Sequence, residues 1–143
     1  MRREGRRAIP PASFLADQRK QRGEAAQRFA ERRSREDEAP RLRQQLPGLA
    51  ALVLEIEERR RDGIVGMGPR HIKRIVVESA AALFVVPCGD PRCKEGGHDI
   101  TQSVMAALRA ARTRFEGHEE CCGSQGNAPC DRVMYYVGIA SYT

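Results

Sequence analysis

The sequence has no tryptophan, and aromatic residues make up only 5% of it. So few large side chains exclude a big, self-sufficient core, and a small domain short of core commonly leans on a metal or a disulfide. No apolar run of about 18 residues occurs, which leaves no candidate for a membrane-spanning helix. The opening MRREGRRAIPP is basic but lacks the apolar stretch of a secretory signal. A cytoplasmic setting is therefore expected, where thiols stay reduced and metal binding is favoured over disulfides. Lysine is scarce as well, 3 residues against 22 arginines, a bias that suits planar, bidentate recognition of phosphate.

Several catalytic signatures are also missing. Gly63, Gly66 and Gly68 are not followed by Gly-Lys-Ser/Thr and lie between two strand-like segments, so they read as a hairpin loop and not as a phosphate cradle. His98-Asp99 lacks the spaced His and Asp partners of a metal hydrolase, and no Ser-His-Asp or Cys-His arrangement has a local signature. An enzyme is not expected, and no small-molecule substrate suggests itself.

What is present falls into two parts. Residues 1–45 carry 13 Lys or Arg against 7 Asp or Glu, whereas residues 46–143 carry 12 of each. The net charge of +6 therefore resides in the N-terminal arm, and a basic arm on a neutral domain points to an anionic partner. Residues 1–12 are expected to be disordered, followed by a helix from about Phe14 to Asp37 capped by Ser13. That helix is polar nearly all round, as in a solvated spacer or a segment that orders on a partner. Pro40 and Leu46-Pro47-Gly48 mark the passage into the domain.

Within 46–143, Leu52, Leu54 and Ile56 alternate with Val53, Glu55 and Glu57, the period-two pattern of a half-buried strand. Ile72–Val77 and Leu83–Val86 are β-branched or apolar runs, with a bend at Ser79–Ala81. Asp99-Ile-Thr-Gln102 has the form of a capping box opening a helix to Gly117, with Val104, Met105, Leu108, Ala111 and Phe115 on one face. Val133–Tyr142 reads as a last strand. The expected fold is α+β: a small antiparallel sheet in the order β-β-β-α-β, one packed helix, and a zinc-ribbon-like cysteine cluster.

All five cysteines fall within 88–130. Pro87-Cys88-Gly89-Asp90-Pro91-Arg92-Cys93 is a tight turn that can fold the second thiol toward the first, and Cys121, Cys122 and Cys130 lie beyond the expected helix. Two cysteine pairs on two loops make a tetrahedral zinc site, with Zn–S bonds of about 2.3 Å. Spacing ranks Cys88, Cys93, Cys122 and Cys130 as the ligands of a structural zinc, with His98 and Cys121 as alternates. An iron–sulfur cluster, or reduced thiols packed as small apolar groups, are the competing readings.

Nucleic-acid contact is expected from Arg2, Arg3, Arg6, Arg7, Arg19, Lys20 and Arg22 of the arm and from Arg70, Lys73 and Arg74 near one strand. Tyr135, Tyr136 and Tyr142 are candidate stacking surfaces. The leading expectation is thus a non-enzymatic, zinc-stabilised protein that binds RNA or DNA. A protein-interaction or self-association module docking through helix 14–37 is the second reading, and a metal- or cluster-dependent enzyme the third.

Overall fold

The structure, a computed structural model, describes residues 12–63, 68, 70–94 and 96–143, with the backbone alone at 12–15, 18 and 19. The disorder expected for residues 1–12 falls almost wholly outside these residues. So do Arg2, Arg3, Arg6 and Arg7 and the side chains of Ser13 and Arg19. In chain order the elements are α1 (Ala12–Ser34), a 3-10 turn (Glu36–Glu38), α2 (Leu42–Gln45), β1 (Leu49–Arg60), β2 (Arg70–Ile75), β3 (Val85–Pro87), β4 (Gly97–Asp99), α3 (Thr101–Arg109), β5 (Arg114–Glu120), β6 (Ser124–Gln125), β7 (Ala128–Pro129) and β8 (Arg132–Tyr142). No helix among the described residues is long and apolar enough to cross a membrane.

The fold is α+β, built on an antiparallel sheet of four strands in the order β2-β1-β8-β5. The alternation in β1 sets its register. Leu54 lies opposite Gly138 and Ile56 opposite Tyr136 across to β8, and Phe115 of β5 sits beside Gly138. Leu52, Leu54, Ile56, Phe115, Met134, Tyr136 and Ala140 therefore share one face. Val104, Met105 and Leu108 of α3 pack on that face together with Phe84, Ile100 and Leu42. Burying each such side chain contributes about 1.5–3 kcal/mol.

Three expectations change. The helix stops at Arg109, eight residues short of Gly117, because Ala111 takes a left-handed conformation (φ 54°) that ends helical propagation. The chain then turns, and Arg114–Glu120 becomes the fourth strand of the sheet, with Phe115 facing the core from a strand. The run near Leu83–Val86 does not join the main sheet, since β3 pairs with β4 in a separate two-stranded ribbon. Finally, the capping box is incomplete. Asp99 is the last residue of β4, and its Oδ1 accepts the Thr101 N–H at 3.0 Å, while Ile100 occupies the cap position.

The expected linker from Pro40 to Gly48 also packs. Leu42 is wholly buried, and its N–H donates to the Ala80 carbonyl at 2.9 Å. Helix α1 lies against the domain too. Phe29 and Ala26 are buried, and Phe29 stands so close to Gly97 that a Cβ there would lie 2.1 Å from its ring. Arg32 pairs with Asp99. The helix is polar overall because its contact stripe is narrow.

Gly138 is the tightest point of the sheet, since a Cβ there would sit 2.2 Å from the Phe115 ring. Gly138→Ala is expected to cost about 1–3 kcal/mol through overpacking, read as a lower melting temperature. An unchanged melt would show that Phe115 does not pack as described.

Candidate metal centre

The backbone brings four thiols together from three places. Cys88 leaves the end of β3, and its N–H donates to the Gly96 carbonyl at 3.3 Å. Cys93 closes the following turn, where the Asp90 carbonyl accepts the Cys93 N–H at 3.0 Å and Asp90 Oδ1 accepts the Arg92 N–H at 2.9 Å. Cys121 follows β5 and donates its N–H to the Arg132 carbonyl, while Cys130 precedes β8 and donates to the Gly123 carbonyl, both at 3.0 Å.

The Sγ atoms of Cys88, Cys93, Cys121 and Cys130 all lie within 4.8 Å of one another. Cys88 and Cys130 are 3.8 Å apart, and Cys93 and Cys121 are 3.7 Å apart. A tetrahedron with metal–sulfur bonds of about 2.3 Å has edges of about 3.8 Å. None of the five cysteines is in a disulfide. The cluster is therefore spaced to hold a metal ion.

The surroundings are shaped to sulfur. A Cβ on Gly96 would lie 2.5 Å from Cys93 Sγ and 2.6 Å from Cys121 Sγ, and one on Gly123 would lie 2.5 Å from Cys93 Sγ. These glycines let backbone close around the thiols where no side chain fits. The Gly123 N–H donates to Cys121 Sγ at 3.4 Å and Gln125 Nε2 to Cys130 Sγ at 3.6 Å, which favours thiolate. Asp90, almost wholly buried, ties the two loops together. It accepts from Arg92, from Gln125 Nε2 at 2.7 Å and from Arg132 Nε at 3.1 Å. The hydrogen bonds from Arg92, foremost, hold its carboxyl well below the usual carboxylate range.

Spacing ranked Cys122 ahead of Cys121, and the structure reverses that order. Cys121 is buried in the cluster, whereas Cys122 is not among the four gathered thiols. Adjacent residues leaving an extended strand project to opposite sides, so only one of the pair can face the cluster. Cys122 instead lines a cleft with Ala25, Arg28 and Phe29 of α1. The clue in the sequence was Gly123, two residues after Cys121, whose N–H reaches that sulfur.

His98 is also outside the four. It is fully buried, with Nδ1 3.0 Å from the Glu119 carbonyl and Nε2 3.1 Å from Glu58 Oε2. The carbonyl can only accept, so Nδ1 carries a hydrogen. Glu58 in turn accepts the Gly89 N–H on both oxygens, at 3.0 and 3.1 Å, and lies 4.0 Å from Cys88 Sγ. His98 thus braces Glu58, and Glu58 braces the Cys88–Gly89 turn. Burial raises the Glu58 pKa, but the bonds from His98 and Gly89 outweigh it and leave the carboxyl below its ordinary value. Glu58 went unnoticed in the sequence. The signal was its place in the alternation, because a glutamate two positions after Ile56 stands on the core face of β1.

Among the described residues, the nucleic-acid candidates do not converge. Lys20 is exposed on α1, while Arg22 donates to the Cys121 carbonyl at 2.9 Å. Arg70 pairs with Glu55. Lys73 and Arg74 are exposed but, as neighbours on a strand, project to opposite faces. Tyr136 is buried in the core and the Tyr142 hydroxyl donates to the Arg112 carbonyl at 2.7 Å. Only Tyr135 stands on the outer face, with the Arg59 guanidinium 3.7 Å above its ring and His118 stacked at 5.5 Å.

No family model matches this chain, and no curated protein and no solved structure is similar enough to count as a match.

Burial pushes the Cys88 thiol up to about 12, and it raises Cys93 and Cys121 as well. Thiols raised in this way keep their protons at neutral pH, so an incoming metal must displace them. Metal affinity is expected to rise with pH between about 6 and 8, with release of up to about four protons per ion, measured by competition with a chromophoric chelator. Cys121→Ser is expected to lose the metal and Cys122→Ser to keep it, read by elemental analysis. The opposite pattern would reinstate Cys122. Glu58→Ala is expected to cost about 3 kcal/mol by stranding buried His98 and freeing the Cys88 turn, checked by denaturant titration.

Proposed function

We propose that the chain is a non-enzymatic binding protein, stapled by a structural zinc ion at Cys88, Cys93, Cys121 and Cys130, that engages RNA or DNA through its arginine-rich N-terminal segment. The observation that carries the zinc reading is the tetrahedral spacing of four thiols drawn from loops at one end of the sheet. Four thiolate ligands would fill the coordination sphere and leave no open position for a substrate or an activated water. That favours a staple over a catalytic metal. Free thiols in such numbers suit a reducing, cytoplasmic compartment.

The nucleic-acid reading rests on charge. The excess of 13 basic over 7 acidic residues in 1–45 is the protein's whole net positive charge, and arginines on such an arm displace condensed counterions from phosphate. Helix α1 would act as a fixed stem, since Phe29 and Arg32 hold it on β4, next to the cluster. Phosphate contacts of this kind position the protein without reading sequence. The second reading, docking of a protein on helix 14–37, loses its obvious surface, because Ala26 and Phe29 are taken up within this chain.

Elemental analysis of the purified protein should give about one zinc per chain and four protected thiols. Visible colour from iron, or five freely reactive thiols, would refute the zinc staple. Fluorescence anisotropy with a single-stranded RNA should show affinity falling steeply with salt. Replacing Arg2, Arg3, Arg6 and Arg7 by Gln in the full chain should flatten the log–log salt slope by about 3. An unchanged slope, or no binding at low salt, would refute the arm's role.

A further inference from the structure

The core draws on one face of the four-stranded sheet, and the other face is open across its middle. The registers lay its residues out in rows. One row crosses the sheet as Arg74, Val53, Ile139 and Arg114; the next, two residues along each strand, is Ile72, Glu55, Val137 and Glu116. Ile72 is 70% exposed and Ile139 is 52% exposed, the first and third most exposed of the large apolar side chains singled out among the described residues. Isolated exposed apolar residues need no explanation, but these lie in adjacent rows of one sheet face with Val53 and Val137 beside them.

The charges on this face decide what can cover it. The row with Ile139 has an arginine at each end, and the row with Val137 holds two glutamates. The next row is Arg70, Glu57, Tyr135 and His118, with the Arg59 guanidinium over the Tyr135 ring, so acidic residues are interspersed with basic ones across the face. A phosphate chain would meet glutamates in the middle of such a surface and gain little. An isologous interface, by contrast, needs a surface complementary to itself, and a row ended by two arginines beside a row with two glutamates is such a surface.

We infer that this open face docks a second copy of the chain, sheet on sheet, about a two-fold axis running along the rows. That operation lays the arginine-ended row of each copy on the glutamate row of the other. It sets Arg114 over Glu116 and Ile139 over Val137, and symmetry makes every contact twice. Val53 comes to lie over Glu55, whose charge Arg70 already compensates. Arg74 falls at the rim, where its stem covers Ile72 and its head stays in water. Arg74, Arg114 and Glu116 have no ion-pair partner among the described residues, so they are available across the interface. Aligned packing of two twisted sheets about 10 Å apart has this geometry. A dimer would also present two basic arms at once, and two linked arms bind a polyanion more tightly than one.

Sedimentation velocity on the full-length, metal-loaded protein, from about 1 to about 300 µM, tests the proposal against typical micromolar association. A monomer–dimer equilibrium is expected. Ile139→Lys should weaken it at least about tenfold while metal content and melting temperature stay unchanged, since this side chain lies outside the core. Arg114→Glu and Glu116→Arg should each weaken the dimer, and the double swap should restore it. A monomer at every concentration, or a dimer indifferent to Ile139→Lys, would overturn the proposal. So would a double swap no better than the single ones. RNA affinity lost with Ile139→Lys in a protein that stays monomeric would overturn it too, and assign the face to nucleic acid.

Discussion

The two-residue alternation along β1, held in register by β8, is the constraint on which the other features rest. It sends Leu52, Leu54 and Ile56 into the core and, continued by one step, places Glu58 on the same side at the end of the strand. There Glu58 meets buried His98 and the Gly89 N–H. The same alternation turns Val53 and Glu55 outward into the open face. A shift of one residue would expose the leucines, bury Glu55 and Glu57, and remove the brace beneath Cys88. Register therefore governs core, metal loop and outer surface together.

The four gathered thiols lie outside the main hydrophobic cluster. The loops that carry the thiols are flanked by short ribbons, β3–β4 and β6–β7, of three and two residues per strand. Ribbons that short are not stable by themselves. Asp90, bonded to Arg92, Arg132 and Gln125, ties together the loops that carry four thiols spaced for a metal ion. The raised thiol pKa values fit this view, since crowded and buried sulfurs carry negative charge only when a cation offsets it. Gly96 and Gly123 complete the site from the backbone side.

The N-terminal helix joins the arm to this arrangement instead of standing apart from it. Its contacts are few but specific: Phe29 on Gly97, Arg32 with Asp99, and Arg22 on the Cys121 carbonyl. All three touch β4 or the residue that follows β5, next to the cluster. Order at the cysteine loops and placement of the helix are thus physically linked. A partner bound to the arm would act on a helix already seated on the domain.

Much of the local pattern was legible in the chain. Alternation identified β1, the run Val133–Tyr142 read as the last strand, composition identified α1, and the crowding of cysteines between 88 and 130 identified the region of the site, because these signals depend only on neighbours in sequence. The limits of α3 were misread, since Arg109–Arg112 are good helix formers and nothing local announces that Ala111 turns the chain. β5 offers a brief alternation, with Phe115 and Gly117 facing in, that is easily taken for a helix end. Spacing favours Cys122 over Cys121, but the two differ by one residue and so by the side of the strand they leave, which spacing does not register. Neighbours in the chain set the alternation of β1, the separation of charge and the supply of thiols. Which four sulfurs meet, that Glu58 and His98 lie beside them and that one sheet face stays open came from the fold, because each depends on segments far apart in the chain arriving at the same place.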